Sequence, residues 1–251
     1  MEFPLQFYIG GFPILLHAIF EIAAFFIGFR YFLYLRRKQQ DVIDSPNRIW
    51  IIIGAIFGAL IGSRVLGALE QPSALMEAGN VLLYIYSNKT VVGGFLGGLA
   101  GVELIKKKIG EKKASGDLFV FPMILALCIG RLGCFSMGVY EPTFGIPTSQ
   151  LWGMDLGDGI NRHPVALYEI IFLIMLWVML TKLRRKAILS NGALFKLFMI
   201  AYLLFRFGQD FIKPHNETIA GLTVIQLACI TGLLYYSPFI IKPKKLLEAH
   251  A

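Results

Sequence analysis

The sequence predicts an all-α polytopic membrane protein with seven transmembrane helices, a small extracytoplasmic head and an interfacial arm. Its composition is one reason, since 56% of the 251 residues are hydrophobic and 16% are charged, whereas soluble domains carry about 25% charged residues. The mean hydropathy of +0.65 and repeated apolar runs of nearly the roughly 20 residues that cross a bilayer are further reasons. Soluble enzymes, disordered chains and secreted disulfide scaffolds are excluded.

The apolar runs and the interruptions between them divide what we expect to be a single membrane domain over residues 1–251. The seven spans are expected at about 12–35, 48–69, 90–105, 118–137, 164–183, 192–211 and 218–240. Residues 70–89 form the predicted arm, in which Leu82 and Leu83 follow Glu70 and Glu77. Residues 138–163 are rich in Gly, Pro and polar residues and form the predicted head.

Charge predicts the orientation of these spans. Of the 24 Lys and Arg residues, 17 lie on one side: Arg36, Arg37, Lys38, Arg48, Lys106, Lys107, Lys108, Lys112, Lys113, Lys182, Arg184, Arg185, Lys186, Lys196, Lys242, Lys244 and Lys245. Cytoplasmic loops are enriched in basic residues, so the amino terminus is expected outside and the carboxyl terminus in the cytoplasm.

Glu2 precedes the first apolar run and no small-residue cleavage site follows it, so that span is expected to stay in the membrane. Because the basic residues cluster between apolar runs, no nucleic acid partner is expected.

Three arginines, Arg64, Arg131 and Arg206, lie inside or at the outer ends of predicted spans. A guanidinium at membrane depth costs at least about 2.5–3.5 kcal/mol, so each needs a partner. One interpretation is that they converge on an anionic headgroup, because guanidinium forks match phosphate oxygens. The other is internal pairing that only stabilises the helix bundle. The acidic residues available for such pairing are Glu21, Glu103, Glu169 and Asp210.

Two patterns accompany these arginines. Tyr202, Arg206 and Asp210 recur at i, i+4 and i+8 and so share one face of the sixth span, where Asp210 either orients Arg206 toward a ligand or only neutralises it. Glycines surround Arg131 at the end of the fourth span, where backbone N–H groups and the guanidinium could approach an anion together. These glycines are Gly130, Gly133 and Gly138.

The third predicted span is short and unusually rich in glycine. Its glycines are Gly93, Gly94, Gly97, Gly98 and Gly101. They lack the trailing Lys-Ser/Thr of a phosphate-binding loop, so close packing of helices in lipid explains them better than nucleotide binding.

Histidine supplies the remaining candidates for acid–base chemistry. His17 and Glu21 are spaced i, i+4 in the first span and could act as a base and its orienting acid. His163 lies at the predicted outer interface, where acid, base, orienting and purely structural roles all remain open. The cysteines Cys128, Cys134 and Cys229 lie in or beside apolar segments and are expected to pack as small hydrophobes. No HExxH motif or other ligand spacing appears, so no metal or other cofactor is expected.

Taken together, these motifs resemble the prolipoprotein diacylglyceryl transferase family. The central match is Gly130-Arg131-x-Gly133-Cys134-Phe135-x-x-Gly138, Pro142-Thr143, Trp152-Gly153 and His163-Pro164-x-x-Leu167-Tyr168-Glu169. Further matches are Gly62-x-Arg64, Gly93-Gly94-x-x-Gly97, Asp117, Tyr202-x-x-x-Arg206-Phe207, Asp210 and Gln226. The resemblance covers nearly the whole chain, and residues 130–169 are its specific part.

The resemblance implies a seven-span enzyme of the bacterial cytoplasmic (inner) membrane. Such an enzyme moves the diacylglyceryl group of phosphatidylglycerol onto the thiol of the lipobox cysteine in a prolipoprotein signal peptide and releases glycerol phosphate. Its partners are therefore membrane lipids and a peptide that both reach it through the bilayer. The implied catalytic residues are Arg131, Arg206, Tyr202, His163 and Glu169. The implied substrate-binding residues are Arg64, Gly93, Gly94, Gly130, Gly133, Gly138, Asp210 and Gln226.

The sequence departs from the family pattern where a base is expected. Val92 stands where the family usually has His, and His17 lies roughly where a Tyr is expected. After Gly138, the residues Val139-Tyr140-Glu141 also differ from the pattern. We therefore hypothesise that His17, with Glu21 behind it, supplies the base from the first span. The alternatives are a diverged member that uses another acceptor or hydrolyses phosphatidylglycerol, and a transporter of anionic solutes.

Overall fold

The computed structural model describes residues 3–39, 41–186, 189–214 and 218–247. Its helices are α1 (Leu16–Gln39), α2 (Ser45–Ala68), α3 (Pro72–Glu77), α4 (Val81–Ser87), α5 (Val91–Ile109), α6 (Val120–Met137), α7 (Val165–Lys186), α8 (Ala193–Gln209) and α9 (Val224–Ile241). Short 3-10 helices cover Asp117–Phe119, Gly138–Tyr140, Asp210–Ile212 and Pro243–Leu246. The strands are β1 (Gln6–Ile9), β2 (Phe12–Leu15), β3 (Met154–Asp155) and β4 (Asn161–Arg162). His215 and His250, which the sequence predicts to be solvated, lie outside the described residues.

Among the described residues, five helical segments are long and apolar enough to cross a membrane: α1, α2, α6 with its flanking 3-10 turns (Asp117–Tyr140), α7 and α9. The chain is therefore a polytopic, multi-pass membrane protein. The helices α5 and α8 coincide with the predicted third and sixth spans, but they are not among these five and have 19 and 17 residues. The arm is built from α3 and α4, whose large apolar side chains Met76 and Leu82 are 85% and 80% exposed.

The first helix begins four residues after the expected start of the first span, near residue 12. Strand β2 occupies these residues and pairs antiparallel with β1. The turn between them is Gly10-Gly11, with φ angles of 57° and 84°, and two left-handed residues of this kind form the tight turn that suits a two-residue hairpin. Helix α1 begins only at Leu16. The all-α prediction thus overlooked this hairpin and the short β3–β4 hairpin of the head.

The last predicted span also begins later than expected. An isolated bridge joins Ile219 to Leu222 around Ala220 and Gly221, which have φ angles of 52° and 79°. Helix α9 follows, capped by Thr223. The Thr223 hydroxyl accepts a hydrogen bond from the backbone N–H of Gln226, and the Gln226 side chain accepts one from the backbone N–H of Thr223. This reciprocal capping box explains why the helix starts here and not near residue 218.

The chain divides into two compact units. Unit one comprises Met1–Gln40, Gly116–Leu189 and Phe211–Pro214. Its α1 and α6 pack closely, because a Cβ at Gly28 would already lie 3.0 Å from the Cβ of Ala126. The ring of Phe32 on α1 also stacks on that of Phe119, with centroids 4.2 Å apart. Unit two comprises Asp41–Ser115, Ser190–Asp210 and His215–Ala251.

Unit two is organised around a close contact between α2 and α5. Both helices carry glycines at four-residue intervals, so that Gly54, Gly58 and Gly62 meet Gly101, Gly97 and Gly93 in antiparallel order. A Cβ at most of these positions would strike the facing backbone carbonyl. Small residues with this spacing let helix backbones approach each other in lipid. The interpretation of the third-span glycines as packing residues is therefore confirmed for Gly93, Gly97 and Gly101.

Candidate functional site

The first polar cluster of unit one joins α6 to α7. The Nε atom of Arg131, near the end of α6, lies 2.9 Å from Oε2 of Glu169 on α7. Their side chains are 11% and 1% exposed, so the pair is almost completely removed from solvent. The internal pairing that the sequence left open for Arg131 is thus present. It holds the guanidinium in one orientation, which suits either a structural role or the recognition of an anion.

The same cluster continues from Arg131 to the thiol of Cys134, one helical turn later. A terminal guanidinium nitrogen of Arg131 lies 3.6 Å from Cys134 Sγ, and this sulfur lies 3.9 Å from Oε1 of Glu141. The sequence predicted that Cys134 packs as a small hydrophobe, but its sulfur also contacts these two charged side chains. The sequence offered one signal for this contact: Cys134 follows Arg131 by three residues, and residues three apart on a helix share a face.

His17 on α1 completes this cluster. Its Nδ1 atom lies 3.2 Å from Oε2 of Glu141, and its Nε2 atom lies 3.7 Å from Oε2 of Glu21. Gly133 permits the approach, since a Cβ there would lie 3.1 Å from the Cβ of Phe20 and 3.3 Å from the carbonyl oxygen of His17. The structure thus brings His17 together with Glu21, as the sequence predicted, but places Glu141 closer. Sequence reasoning had noted Glu141 only as a departure from the family pattern.

These contacts also collect atoms that bind metal ions. A ring nitrogen of His17, Cys134 Sγ and a carboxylate oxygen of Glu141 all lie within 4.8 Å of one another. Imidazole, thiolate and carboxylate are the ligand types of Zn²⁺ in proteins. The three residues come from α1, α6 and the segment after α6, so no short sequence motif could have shown them.

The other predicted residues of unit one lie around the start of α7 and the end of α6. His163 Nδ1 and the Tyr168 hydroxyl share a hydrogen bond of 3.0 Å, which gives His163 a fixed partner. Gly138 has a φ of 58°, and a Cβ there would collide with the carbonyl oxygen of Leu156, so glycine is required at this turn. Around Gly130, by contrast, the described residues outside its own helical turn place no atom within 4 Å of the Cβ position.

In the head, carboxylates are held in their charged form. The backbone N–H groups of Gly157 and Gly159 donate to Asp155 at 2.8 and 3.0 Å and keep the pKa of Asp155 below its ordinary value of 3.8. The Arg162 side chain donates to Asp158 and lowers the pKa of Asp158 in the same way. These contacts order the loop between β3 and β4.

Unit two carries a second buried cluster at the end of α8. Arg206 donates to the amide oxygen of Gln209, and its terminal nitrogen lies 3.9 Å from Oδ1 of Asp210. Asp210 is fully buried and accepts a hydrogen bond from the Thr223 hydroxyl. The side chain of Gln226 donates to the carbonyl of Phe207 at 3.3 Å. The structure therefore brings together Arg206, Asp210 and Gln226, with Thr223 as a link that sequence reasoning missed.

The remaining predicted residues of unit two lie on other parts of its helices. Tyr202 is fully buried, and its ring meets that of Phe95 edge-on, with centroids 5.0 Å apart. Arg64 on α2 lies over the ring of Tyr86 in the arm, with its Cζ atom 4.8 Å from the centroid, a cation–π contact. Gly93 is a packing residue between α5 and α2, and at Gly94 the nearest atom to a Cβ would be 3.8 Å away.

The fold and these clusters define a multi-pass membrane protein whose helices carry buried arginine–carboxylate pairs beside nucleophilic and acid–base groups. The family described as prolipoprotein diacylglyceryl transferase matches residues 4–241, so the chain belongs to this family. The resemblance inferred from the motifs is confirmed, and with it the prediction of a transferase.

The chain is also similar to proteins named phosphatidylglycerol–prolipoprotein diacylglyceryl transferase. It is 26% identical to that of Finegoldia magna over 246 residues, which cover 95% of each chain. It is 27% identical to that of Trichormus variabilis over 90% of this chain and 84% of the relative. With that of Bordetella parapertussis, it shares 30% identity over 73% of each chain.

Proposed function

We propose that this chain transfers the diacylglyceryl group of phosphatidylglycerol to the thiol of a prolipoprotein lipobox cysteine and releases glycerol phosphate. Its family membership and the names of its relatives support the proposal. The observation that carries it is the buried Arg131–Glu169 pair beside Cys134, because this pair lies inside the most specific part of the motif.

The products of this reaction define which bonds change. Glycerol phosphate keeps its phosphate oxygens, so the bond between the diacylglyceryl carbon and the phosphate oxygen breaks, and its electron pair stays on that oxygen. The acceptor sulfur forms the new carbon–sulfur bond and loses its proton. The site must therefore hold a leaving group that gains negative charge, and it must generate a thiolate, because a neutral thiol is a poor nucleophile.

We assign the phosphate to Arg131 and Arg206, whose planar guanidinium groups present several donors to oxygen. Glu169 fixes Arg131 through its Nε atom, and Asp210 flanks Arg206, so each guanidinium is oriented by a buried carboxylate. Tyr202, one turn before Arg206 on α8, is assigned to the same headgroup. The expectation that both arginines bind one phosphate stays a prediction, and non-additive losses of activity in the double variant would support it.

The other predicted substrate-binding residues are proposed to act partly through packing. Gly93 lets α5 approach α2, and Gly133 lets α6 approach His17. Gln226 caps α9 and contacts the backbone at the end of α8. Direct substrate contact is proposed for the rest: Arg64, Gly94, Gly130 and Gly138.

We place the activation of the acceptor thiol at His17 and its carboxylate neighbours Glu141 and Glu21. This modifies the hypothesis from sequence, because Glu141 and not Glu21 is the nearer acid. His163 is proposed to orient Tyr168 at the start of α7, where the two side chains are hydrogen-bonded.

The proposal also includes the membrane arrangement. We propose seven spans in the bacterial cytoplasmic membrane, with α5 and α8 crossing in addition to the five long apolar segments. The amino terminus lies outside and the carboxyl terminus inside, as the distribution of basic residues favours. Both substrates then reach the site laterally from the outer leaflet.

The test uses the purified full-length chain with phosphatidylglycerol vesicles and a synthetic peptide that carries a lipobox cysteine. The expected result is a gain in peptide mass of one diacylglyceryl group, with release of one equivalent of glycerol phosphate. A peptide in which serine replaces the cysteine is the control and should remain unmodified. Release of glycerol phosphate without peptide modification would indicate a phosphatidylglycerol hydrolase and contradict the proposal. If neither product forms, the chain belongs to another functional class, and the proposal is contradicted.

A further inference from the structure

The cluster around His17 contains more negative than positive groups. Its carboxylates are Glu21, Glu141 and Glu169, and its fixed positive charge is the guanidinium of Arg131. Arg131 pairs with Glu169 and also contacts Cys134 Sγ, so His17, Cys134 and Glu141 bring several lone-pair donors together with the imidazole and thiol protons between them. Donors placed this close repel one another unless a proton or a cation lies among them.

The contact between His17 and Glu141 shows this excess most clearly. Nδ1 of His17 and Oε2 of Glu141 are buried and 3.2 Å apart, yet neither atom has a hydrogen-bond partner among the described residues. The other ring nitrogen of His17, Nε2, faces Glu21. A neutral imidazole has one N–H group and one lone pair. If Nε2–H points to Glu21, the lone pair of Nδ1 faces a carboxylate oxygen.

We propose that His17, Cys134 and Glu141 bind a divalent zinc ion. Tetrahedral bonds of about 2.0–2.3 Å put ligand atoms roughly 3.3–3.7 Å apart. His17 Nδ1 lies 3.2 Å from Oε2 of Glu141, and Cys134 Sγ lies 3.9 Å from the other oxygen, Oε1. One ligand atom from each of the three residues lies within 4.8 Å of the others, so small side-chain rotations would bring all three to these separations. In the tautomer that carries its proton on Nε2, a cation between these atoms also replaces the unfavourable contact of the Nδ1 lone pair with the carboxylate, whereas a proton on Nδ1 would form a hydrogen bond with Glu141.

The surroundings match those of a metal-binding histidine. Such a histidine usually directs its second ring nitrogen to a carboxylate, which fixes the ring and its tautomer. Glu21 occupies this position, one turn along α1 from His17. The charges also balance, since a thiolate at Cys134 and a carboxylate at Glu141 together neutralise the two charges of Zn²⁺.

This inference rests on the proposed transferase function and specifies how the thiolate forms. A zinc ion with three protein ligands keeps a fourth position for water or substrate. An acceptor cysteine bound there through sulfur would lose its S–H proton to solvent water, because a metal-bound thiol is deprotonated, and His17 would then activate the thiol as a metal ligand and not as the base. The thiolate then attacks the diacylglyceryl carbon, and the electron pair of the broken carbon–oxygen bond stays on the phosphate. No oxidation or reduction occurs, because Zn²⁺ has no redox chemistry.

The site can be tested without measuring activity. The full-length chain is purified without a histidine tag, and its zinc content is measured by mass spectrometry. Cobalt is then substituted, and absorption from sulfur-to-cobalt charge transfer is recorded. We expect about one metal ion per chain and a clear sulfur band. Cys134→Ser should abolish the band and weaken zinc binding at least about tenfold. Cys128→Ser, in the same helix, is the matched control and should retain both properties.

Two further variants test the other ligands. His17→Ala and Glu141→Gln should each weaken zinc binding while the sulfur band, where cobalt still binds, persists. The absence of zinc from the purified chain, or a cobalt spectrum that Cys134→Ser leaves unchanged, would overturn the site.

Transfer assays separate this inference from the proposed function. Full transfer activity in demonstrably metal-free protein would overturn the inference and leave the proposed function standing. Suppose that the cobalt-substituted chain shows the sulfur band but the zinc-loaded chain does not transfer lipid to the lipobox peptide. This result would support the metal site and contradict the proposed function. Loss of transfer on chelation, with recovery when zinc is returned, supports both.

Discussion

The guanidinium of Arg131 is held by Glu169 through its Nε atom, at 2.9 Å and almost out of contact with solvent. Because the contact is made through Nε, one carboxylate on α7 fixes the orientation of the whole planar guanidinium group. A lysine at this position would keep the positive charge, but its ammonium is a single point and cannot present parallel donors to a phosphate. The geometry of the guanidinium, and not only its charge, is therefore the property to test.

We predict that Arg131→Lys reduces transferase activity by a factor of about 10² or more, because the loss of one preorganised donor to a developing anion typically costs this much. The variant should still insert into the membrane and fold, since the charge opposite Glu169 is retained. Initial rates with the lipobox peptide, together with the thermal unfolding curve, measure both effects. Arg162→Lys is the matched control and should have near-normal activity, because Arg162 lies in β4 of the head and pairs with Asp158, away from the cluster around Arg131. Near-normal turnover of Arg131→Lys would remove Arg131 from the site.

The cluster at the end of α8 predicts a different kind of effect. Asp210 is fully buried, accepts a hydrogen bond from Thr223 and lies beside Arg206. Replacement by Asn leaves the buried guanidinium of Arg206 without its charged neighbour, and breaking a buried pair costs about 3–5 kcal/mol. We therefore expect Asp210→Asn to lower the melting temperature of the purified chain clearly.

Asp158→Asn provides the comparison, because Asp158 forms its ion pair in the exposed loop of the head. Its melting temperature should fall much less than that of Asp210→Asn, because ion pairs near the surface contribute little to stability. An unchanged melting temperature for Asp210→Asn would show that Asp210 does not stabilise the fold, and its role would then lie in substrate binding alone.

The sequence predicted most helices because their signals are local. Apolar runs lie within the helices that they define. The errors have equally local causes. The Gly10-Gly11 turn makes a hairpin of residues whose apolar character alone suggested a membrane helix. Similarly, the capping box of Thr223 delays the start of α9.

The polar cluster of unit one was only partly predictable. Arg131, Glu169 and His17 were singled out by residue type and spacing. The contact of His17 with Glu141 joins residues 124 positions apart in the chain, so spacing along a helix could not predict it. The polar contacts of Cys134 were missed for a related reason. The hydrophobicity of its segment predicts apolar packing, but it does not predict the contacts of its sulfur with Arg131 and Glu141.

The packing of α2 against α5 gives a prediction about stability. At Gly97, a Cβ would overlap the carbonyl oxygen of Gly58, whereas at Gly98 the nearest atom, the carbonyl oxygen of Ala55, would be at an ordinary 3.5 Å. Gly97→Ala must therefore separate the two helices, and overpacking of this kind typically costs about 1–3 kcal/mol. We expect a lower melting temperature for Gly97→Ala and little change for Gly98→Ala. Equal melting temperatures for these adjacent variants would contradict the close contact between the helix backbones.

The loop between β3 and β4 in the head is expected to lose its order in acid. The N–H groups of Gly157 and Gly159 lower the pKa of Asp155, and the Arg162 side chain lowers that of Asp158. A carboxyl group whose pKa is lower in the folded than in the unfolded state stabilises the fold above its unfolded pKa. This contribution is lost as the pH falls through the lower, folded value. The loop should thus remain ordered at neutral pH and down to the ordinary pKa of 3.8, and should open below it.

Hydrogen–deuterium exchange of the peptide that covers Asp155–Arg162 measures this opening. Protection, corrected for the intrinsic exchange rate at each pH, should fall as Asp155 and Asp158 become protonated. Asn keeps a carbonyl oxygen that can accept from Gly157 and Gly159, so the double variant Asp155→Asn/Asp158→Asn should retain an ordered loop whose protection no longer depends on pH in this range. A peptide from the middle of α7 serves as the internal control for global unfolding. If the loop opens in parallel with that peptide, or if the double variant keeps the pH dependence, these carboxylates do not control the order of the head.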